Sequence, residues 1–309
     1  MRAIFFLLLL LPFMIPVLVD DAFAGKGDIT AVRAQSLGNV FEIDGGKATA
    51  NSLVKVDSDT YALAYTGADN DGFISTFTIS SDGTTITEVD NLEHDTEFGN
   101  ENHLVKVDSD TYALAYRGTD SDGFISTFTI SSDGTTITEL DNLEHNTELG
   151  WINSLIQVDS DTIALAYTGS NDQDGFISTF TIDSDGNITA VNSLEHVEHG
   201  TEVIDDNHLV HVDSDTYALA YSIQNNSGYI STFTISDDGS TITELDSLEH
   251  DTAMGSWWQG LVKVDSDTIA YAYHDVPLGY QGYIATFTIG DTSTDDSTST
   301  ESKKPSGAC

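Results

Sequence analysis

Three tryptophans, Trp151, Trp257 and Trp258, offer flat apolar area with a polar N–H edge, which is what stacks on a sugar ring or anchors a protein surface. They lie between the strand-like runs of the chain, close in pattern to Phe98 and Leu149 of sister segments. A second set is a run of amides at matching places, Asn51, Asn102, Asn153, Asn207 and Gln259. An amide both donates and accepts, which suits sugar hydroxyls, ordered water or a hydrated ion; bonding to nearby loop backbone is the competing use.

Two further sets have the residue types of metal ligands. Asp69/Asp71, Asp120/Asp122 and Asp172/Asp174 each precede a glycine, like half of a calcium loop. The acids are lost in the remaining copies, where Asn225 and Ser227 and then the segment from Gly279 replace them, while Gly72, Gly123, Gly175, Gly228 and Gly282 persist. The persistent feature therefore reads as a turn: no cofactor is required, and calcium is the one these turns could take. Glu93-His94, Glu144-His145, Glu195-His196 and Glu249-His250 suggest zinc by type. They follow the last strand of each unit, about 14 Å from the first strand across three inter-strand gaps. Copies that far out cannot share a metal, so a hydrogen-bonding device at the sheet edge is expected instead.

What positions these residues is repetition. The stretch Ser52 to Tyr65, SLVKVDSDTYALAY, recurs with small changes from His103, Ser154, His208 and Gly260, at spacings of 51, 51, 54 and 52 residues. A period of this size means one supersecondary unit that buries its apolar faces on copies of itself. Each unit holds four strand-like runs, for instance Leu53 to Val56, Thr60 to Tyr65, Phe73 to Ile79 and Thr85 to Leu92. In the second run Tyr61, Leu63 and Tyr65 alternate with Ala62 and Ala64, so both faces are apolar and both should be covered. Asp57-Ser58-Asp59, Asp69 to Gly72 and Ser81-Asp82-Gly83 supply the turns. The Asp57/Asp59 turns fall at the opposite end of the sheets from the inter-unit loops, and hairpin capping accounts for them.

Four antiparallel strands in about 50 residues is the size of a propeller blade. The expected fold is all-β: a five-bladed β-propeller over residues 25–290, its units starting near 52, 103, 154, 208 and 260. The fifth unit stops after its third strand, and Gly27 to Val32 copies Gly186 to Val191. Residues 28–37 are therefore expected to supply the missing fourth strand, closing the ring and removing free edges.

Residues 1–24 read as a secretory signal, with an apolar run and Ala22-Phe23-Ala24 before Gly25. No later run is long enough to span a bilayer as a helix, so a secreted or cell-surface protein without a transmembrane segment is expected. Residues 291–309, rich in Ser, Thr and Asp and ending at the single cysteine Cys309, read as a disordered tail or stalk. A net charge of −41 repels phosphate backbones and excludes nucleic acid as a partner.

The wording VDSDTYALAY, DGFISTFTIS and SLEHDT resembles repeats in secreted or surface proteins of marine microbes, including ammonia-oxidising archaea. That resemblance spans residues 28–290 and implies an extracellular propeller without implying an activity. In architecture alone the expected ring is similar to tachylectin-type five-bladed lectins. The turn Ser81 to Thr85 looks like a sialidase Asp-box that has lost its Trp and spacing. Copies supply the same residue repeatedly, whereas catalysis needs different residues in different roles. The expected function is non-enzymatic binding or scaffolding of an extracellular glycan or protein through the inter-blade loop face, with no catalytic residues. A glycosidase-like enzyme and a structural surface-layer component are the alternatives. The enzyme reading suffers because the axial position holds amides, with no odd carboxylate expected there.

Overall fold

The computed structural model describes residues 48–169, 172–195, 203–224, 227–252, 259–275 and 281–290. These all fall in one compact unit, 40–309. The signal segment, the expected closing strand 28–37, Trp257, Trp258 and the tail lie outside the described residues.

Nineteen strands are described, and they run in chain order through five antiparallel meanders. The first sheet is β1 (Thr49–Lys55), β2 (Thr60–Thr66), β3 (Gly72–Ile79) and β4 (Ile86–Asp95). The second is β5 (Asn100–Lys106), β6 (Thr111–Arg117), β7 (Gly123–Ile130) and β8 (Ile137–Asn146). The third is β9 (Trp151–Gln157), β10 (Thr162–Gly169), β11 (Asp174–Ile182) and β12 (Ile188–Glu195). The fourth is β13 (Ile204–Asp213), β14 (Thr216–Ile223), β15 (Gly228–Ile235) and β16 (Ile242–Asp251). The fifth has three described strands, β17 (Gly260–Lys263), β18 (Thr268–Asp275) and β19 (Gln281–Thr288).

Successive sheets pack face to face, most closely along their first strands, so β1, β5, β9, β13 and β17 line the inner side of the array. The alternation inside each second strand explains the packing. Ala62, Ala64 and Ile74 on one face of the first sheet receive Leu104, Tyr112, Leu114, Tyr116 and Phe128 of the second. The same small-against-large pairing recurs at the next three interfaces, where Ala113/Ala115 meet Leu165/Tyr167, Ala164/Ala166 meet Leu219/Tyr221, and Ala218/Ala220 meet Ile269/Tyr271. Small residues on one side let bulky ones on the other reach full contact. Burying a side chain such as Leu104, 1% exposed, is worth about 2 kcal/mol against leaving it in water.

Hydrogen bonds lock the same interfaces. Thr76 Oγ1 donates to the carbonyl of Gly134 at 2.7 Å, Thr127 to Gly186 at 2.6 Å and Thr179 to Gly239 at 2.7 Å. Each acceptor belongs to the turn between the third and fourth strands of the following sheet. The first sheet's copy of that turn shows what shapes it: Asp82 Oδ1 accepts from the Ser80 hydroxyl and from the backbone and hydroxyl of Thr84. Those bonds, led by Ser80, hold the Asp82 carboxyl down at about 2. The Asp-box-like segment is thus a turn, as its wording implies, and its copies at Gly134, Gly186 and Gly239 also serve as inter-sheet clasps.

The two ends of the array are uncovered. Leu53 occupies the position of Leu104 yet is 62% exposed, and Ile284 occupies that of Ile74 yet is 80% exposed. Among the described residues, one face of the first sheet and the opposite face of the fifth carry the residue types that meet at the other four interfaces.

Candidate functional site

Asn51, Asn102, Asn153 and Asn207 lie inside the first strands, not ahead of them, because those strands begin a few residues earlier than the apolar pattern implies, while Gln259 immediately precedes β17. Immediately before each Asn the chain carries a non-glycine residue in the left-handed region: Ala50 (φ 50°), Glu101 (55°), Ile152 (54°) and Asp206 (64°). The pairing register breaks at the same place in all four sheets. Such a bulge re-aims a side chain at some conformational cost, and strain of this kind gathers where function requires it.

The amide nitrogens are used for holding the backbone. Asn102 Nδ2 lies 3.2 Å from the Gly99 carbonyl, Asn153 Nδ2 3.2 Å from that of Glu101 and 3.3 Å from that of Gly150, and Asn207 Nδ2 3.4 Å from that of Ile152. Two of these bonds cross from one sheet to the preceding one, so the amides form a belt along the inner strands. Asn51 reaches only the carbonyl of Ala48, at 3.4 Å, and Gln259 Nε2 lies 3.3 Å from the Ser222 hydroxyl. The oxygens Oδ1 of Asn102, Asn153 and Asn207 are buried and accept no hydrogen bond among the described residues.

Where the repeat is broken on this rim, the substitutions carry chemistry. Arg117 ends β6 where the equivalent residues are Thr66, Thr168 and Ser222, whose hydroxyls donate to backbone carbonyls at or just before the start of a first strand, those of Gly99, Ile204 and Asp205. Its guanidinium sits 4.7 Å from the ring centre of Phe98 and 5.2 Å from that of Trp151. Trp151 is the first residue of β9, half-buried against Arg117, and so is not a free loop aromatic. Its indole nitrogen and Arg117 Nε are buried without a hydrogen bond among the described residues. Phe98 is held in place by Asp95, whose Oδ1 accepts the backbone N–H groups of Glu97 and Phe98, both at 2.9 Å.

Carboxylates and imidazoles complete the cluster. Burial, mainly, pushes the Glu101 carboxyl up; the positive charge of Arg117 opposes this and the negative charge of Asp206 adds to it. Asp206 Oδ1 lies 3.1 Å from His208 Nε2. Desolvation holds the His103 imidazole below its usual range, and its Nδ1 accepts the backbone N–H of Leu155 at 3.0 Å. A backbone N–H can only donate, so in the state that makes this bond Nδ1 is unprotonated and Nε2 carries the hydrogen. Ser52 and Ser154 hydroxyls play the same part for Leu104 and Leu209, both at 2.9 Å. Two carboxylates, Glu101 and Asp206, therefore stand on the inner rim, contrary to the sequence expectation. Their signal in the sequence was their departure from the repeat, where Ala50 and Ile152 hold the matching places.

The other expected sites resolve differently. Asp69 and Asp120 have left-handed backbone within short 3-10 turns at Ala68–Asn70 and Thr119–Ser121, where Asp71 and Asp122 close the turn through their backbone N–H groups. Asp172 and Asp174 flank the start of β11. No group of three metal-ligating His, Cys, Asp or Glu side chains occurs among the described residues. At two of the glycines that follow, packing requires glycine independently of the turn: a Cβ on Gly72 would lie 2.5 Å from His94 Cε1, and one on Gly123 2.6 Å from His145 Cε1, whereas one on Gly282 would meet nothing within 4 Å. The described histidines are not hydrogen-bonding devices, and His196 lies outside the described residues. His94, His145 and His250 bury both ring nitrogens without a hydrogen bond among the described residues. Each ring packs edge-on against tyrosine in the next sheet, Tyr116, Tyr167 and Tyr271 respectively, at 4.8, 4.7 and 5.3 Å.

Sheet order, inner first strands and repeated face-to-face packing define a propeller-like all-β protein. One solved structure agrees at the level of fold. The chain is similar to a protein from Lactobacillus plantarum, at a TM-score of 0.52 and 15% identity over 77% of this chain and 70% of that one. Further similar structures are Saccharomyces cerevisiae Sqt1 (TM-score 0.48, 13% identity, 79% of this chain and 63% of that one) and the Pseudomonas aeruginosa periplasmic gluconolactonase PpgL (0.43, 11%, 78% and 85%). No protein-family model and no curated protein matches the sequence.

Proposed function

We propose that this chain is a secreted or cell-surface binding propeller that engages an extracellular glycan or protein through the rim where the first strands begin. The observation that carries the reading is the break in the repeat at that rim. Glu101 and Asp206 stand where other units carry Ala50 and Ile152, Arg117 where they carry Thr66, Thr168 and Ser222, and Trp151 where they carry Thr49 and Asn100; with His208 they bring charge, hydrogen-bonding capacity and aromatic area to this rim. Trp257 and Trp258 precede the fifth sheet at the corresponding place in sequence and belong to the same face in this reading. The ring is closed and five-bladed, with residues 28–37 as the fourth strand of the last blade and the Leu53 and Ile284 faces mated. The matching small-against-large chemistry of those two faces supports this closure.

The test is a glycan array together with a pull-down using the secreted chain. Binding that is weakened by something like 2 kcal/mol or more in Trp257→Ala/Trp258→Ala, and unchanged in Asp57→Ala/Asp59→Ala at the opposite end, supports it. Neutral effects of both pairs on every ligand found would reject this face.

One observation favours an enzyme as the second reading: the Asp206 and His208 pair at 3.1 Å, with the half-buried Glu101 on the same rim, has the composition of acid–base machinery. Turnover of chromogenic glycosides, abolished by Glu101→Gln, would establish it; binding without turnover leaves the first reading in place.

A further inference from the structure

Two Asn-x-Ser/Thr triplets occur in the chain, Asn187-Ile188-Thr189 and Asn225-Asn226-Ser227. In a chain that passes through a secretory apparatus such a triplet is the acceptor for an N-linked glycan. The first arises where the repeat loses a residue. Between the turn glycine and the isoleucine of the fourth strand, sister units carry Thr84-Thr85, Thr135-Thr136 and Ser240-Thr241, whereas the third unit carries Asn187 alone. The threonine after that isoleucine persists in all four units, as Thr87, Thr138, Thr189 and Thr243. Shortening the turn by one residue therefore sets an asparagine two places before a hydroxyl. The N-terminal copy, Gly27-Asp28-Ile29-Thr30, has an aspartate there and makes no triplet.

The fold presents both side chains to solvent. Asn187 and Thr189 are exposed while Ile188 between them is buried, the alternation of a strand entering its sheet. β12 is the last strand of its sheet, and among the described residues no further strand pairs with its outer edge. The turn ahead of it is pinned from three directions. Asn187 donates its backbone N–H to Asp183 Oδ1 at 2.9 Å, Thr127 Oγ1 donates to the Gly186 carbonyl at 2.6 Å, and Ile188 donates its N–H to Asp141 Oδ2 at 2.8 Å. Asn187 Nδ2 lies 2.9 Å from Asp183 Oδ2 and 3.1 Å from Oδ1. A substituted amide keeps one N–H, so a sugar on Nδ2 leaves one of these two bonds in place. In the second triplet Asn225 and Asn226 lie outside the described residues, and Ser227 is buried.

Position in the sheet decides where a glycan stands. Ile182, just before the turn, donates its N–H to the carbonyl of Asp161 at 2.7 Å, in the turn between the first two strands of the same sheet. Asn187 is thus at the end of the sheets opposite to the rim where first strands begin.

We propose that Asn187 is an N-glycosylation site, an inference that rests on the secreted or cell-surface reading above. The amide nitrogen attacks the anomeric carbon of a sugar carried on a lipid-linked phosphate. The N–C1 bond forms, the C1–O bond breaks with its electron pair leaving on the lipid phosphate, and the nitrogen gives up one proton to solvent. A bulky, hydrated chain then stands beside the free edge of β12, where open backbone groups invite pairing with another strand, and the binding rim stays uncovered.

The experiment is peptide mass spectrometry on the full chain isolated from its native cells and surrounding medium. Cleavage before aspartate releases the peptide 185–204, and fragmentation is expected to place a carbohydrate mass on Asn187. In a secretory host that N-glycosylates, Asn187→Gln and Thr189→Ala should abolish the addition, while Thr189→Ser, which keeps the hydroxyl, should retain it. Thr189→Ala leaves the Asp183 bonds to Asn187 untouched, and circular dichroism checks that it folds. A chain outside the cell, its first 24 residues removed and its peptide 185–204 unmodified, overturns the site and leaves the secreted reading standing. Modification of Asn225 with Asn187 bare, or an addition indifferent to Thr189, also overturns it. A chain retained inside the cell with its first 24 residues intact and no glycan rejects both.

Discussion

Acid should open the interfaces between the sheets, and the buried histidines set how strongly. His94 and His145 are held by desolvation at about 3, and His250 at about 4, against 6.5 for an exposed imidazole. The folded values lie below the unfolded one, so the unfolded chain takes up protons first as pH falls. Stability is therefore complete above pH 6.5 and is lost progressively toward pH 3. Between pH 7.5 and pH 5 the unfolded imidazole becomes almost fully protonated while the folded one stays neutral, a difference of about 1.5 units or about 2 kcal/mol per histidine. Three of them, in separate interfaces, give about 6 kcal/mol, comparable to the whole stability of many domains. The chain's many carboxylates also titrate in this range, so the measurement must be differential. Urea unfolding of the wild-type chain and of His94→Phe/His145→Phe at pH 7.5, 6 and 5 isolates the effect. Phenylalanine keeps the edge-on contacts with Tyr116 and Tyr167 and cannot be protonated. Its larger ring against Gly72 and Gly123 lowers stability alike at every pH. The double variant is expected to lose about 4 kcal/mol of the fall seen in wild type between pH 7.5 and 5, which is more than about 1 M in urea midpoint for a slope near 3 kcal/mol per M. Identical pH slopes for the two proteins, or NMR titration of the His94 and His145 ring protons near 6.5 in the folded state, would refute the reasoning.

Deleting residues 25–37 should lower the melting temperature far more than deleting 291–309, and equal melting temperatures for the two truncations would remove the five-bladed closure. Millimolar calcium should raise the melting temperature no more than sodium chloride at matched ionic strength; a calcium-specific rise that follows the logarithm of concentration would make the acidic turns binding sites. Gly134→Ala forces a side chain onto a φ of +74° with its Cβ 2.9 Å from Thr60 Cγ2, beside the carbonyl that clasps Thr76. It should cost about 1 kcal/mol or more in chemical denaturation, and a neutral result would mean the clasp tolerates rearrangement.

The sequence by itself determined the sheets. A period near 50 residues, four runs per period and the alternation of Tyr61, Leu63 and Tyr65 with Ala62 and Ala64 are local facts, and strand pairing between neighbours in the chain follows from them. That both faces of the second strands of the middle sheets, β6, β10 and β14, are covered was legible too, since an apolar residue at every position leaves no face for water. Tertiary structure decided what the repeated residues are for. Gly72 reads as a turn glycine in sequence, but it is glycine because the His94 ring presses on it, and that ring lies between sheets whose stacking no local pattern encodes. The asparagine belt looks like a set of free amides until the sheets are stacked, when its nitrogens meet carbonyls of the preceding unit about 50 residues away. The rim was the hardest to read. Glu101, Arg117, Trp151 and Asp206 each appear as an isolated departure from the repeat, in three different units, and only the packing of first strand on first strand brings them within range of one another's charge. Repetition makes the backbone predictable from short-range pattern. The residues that break it acquire a role only through neighbours that folding supplies.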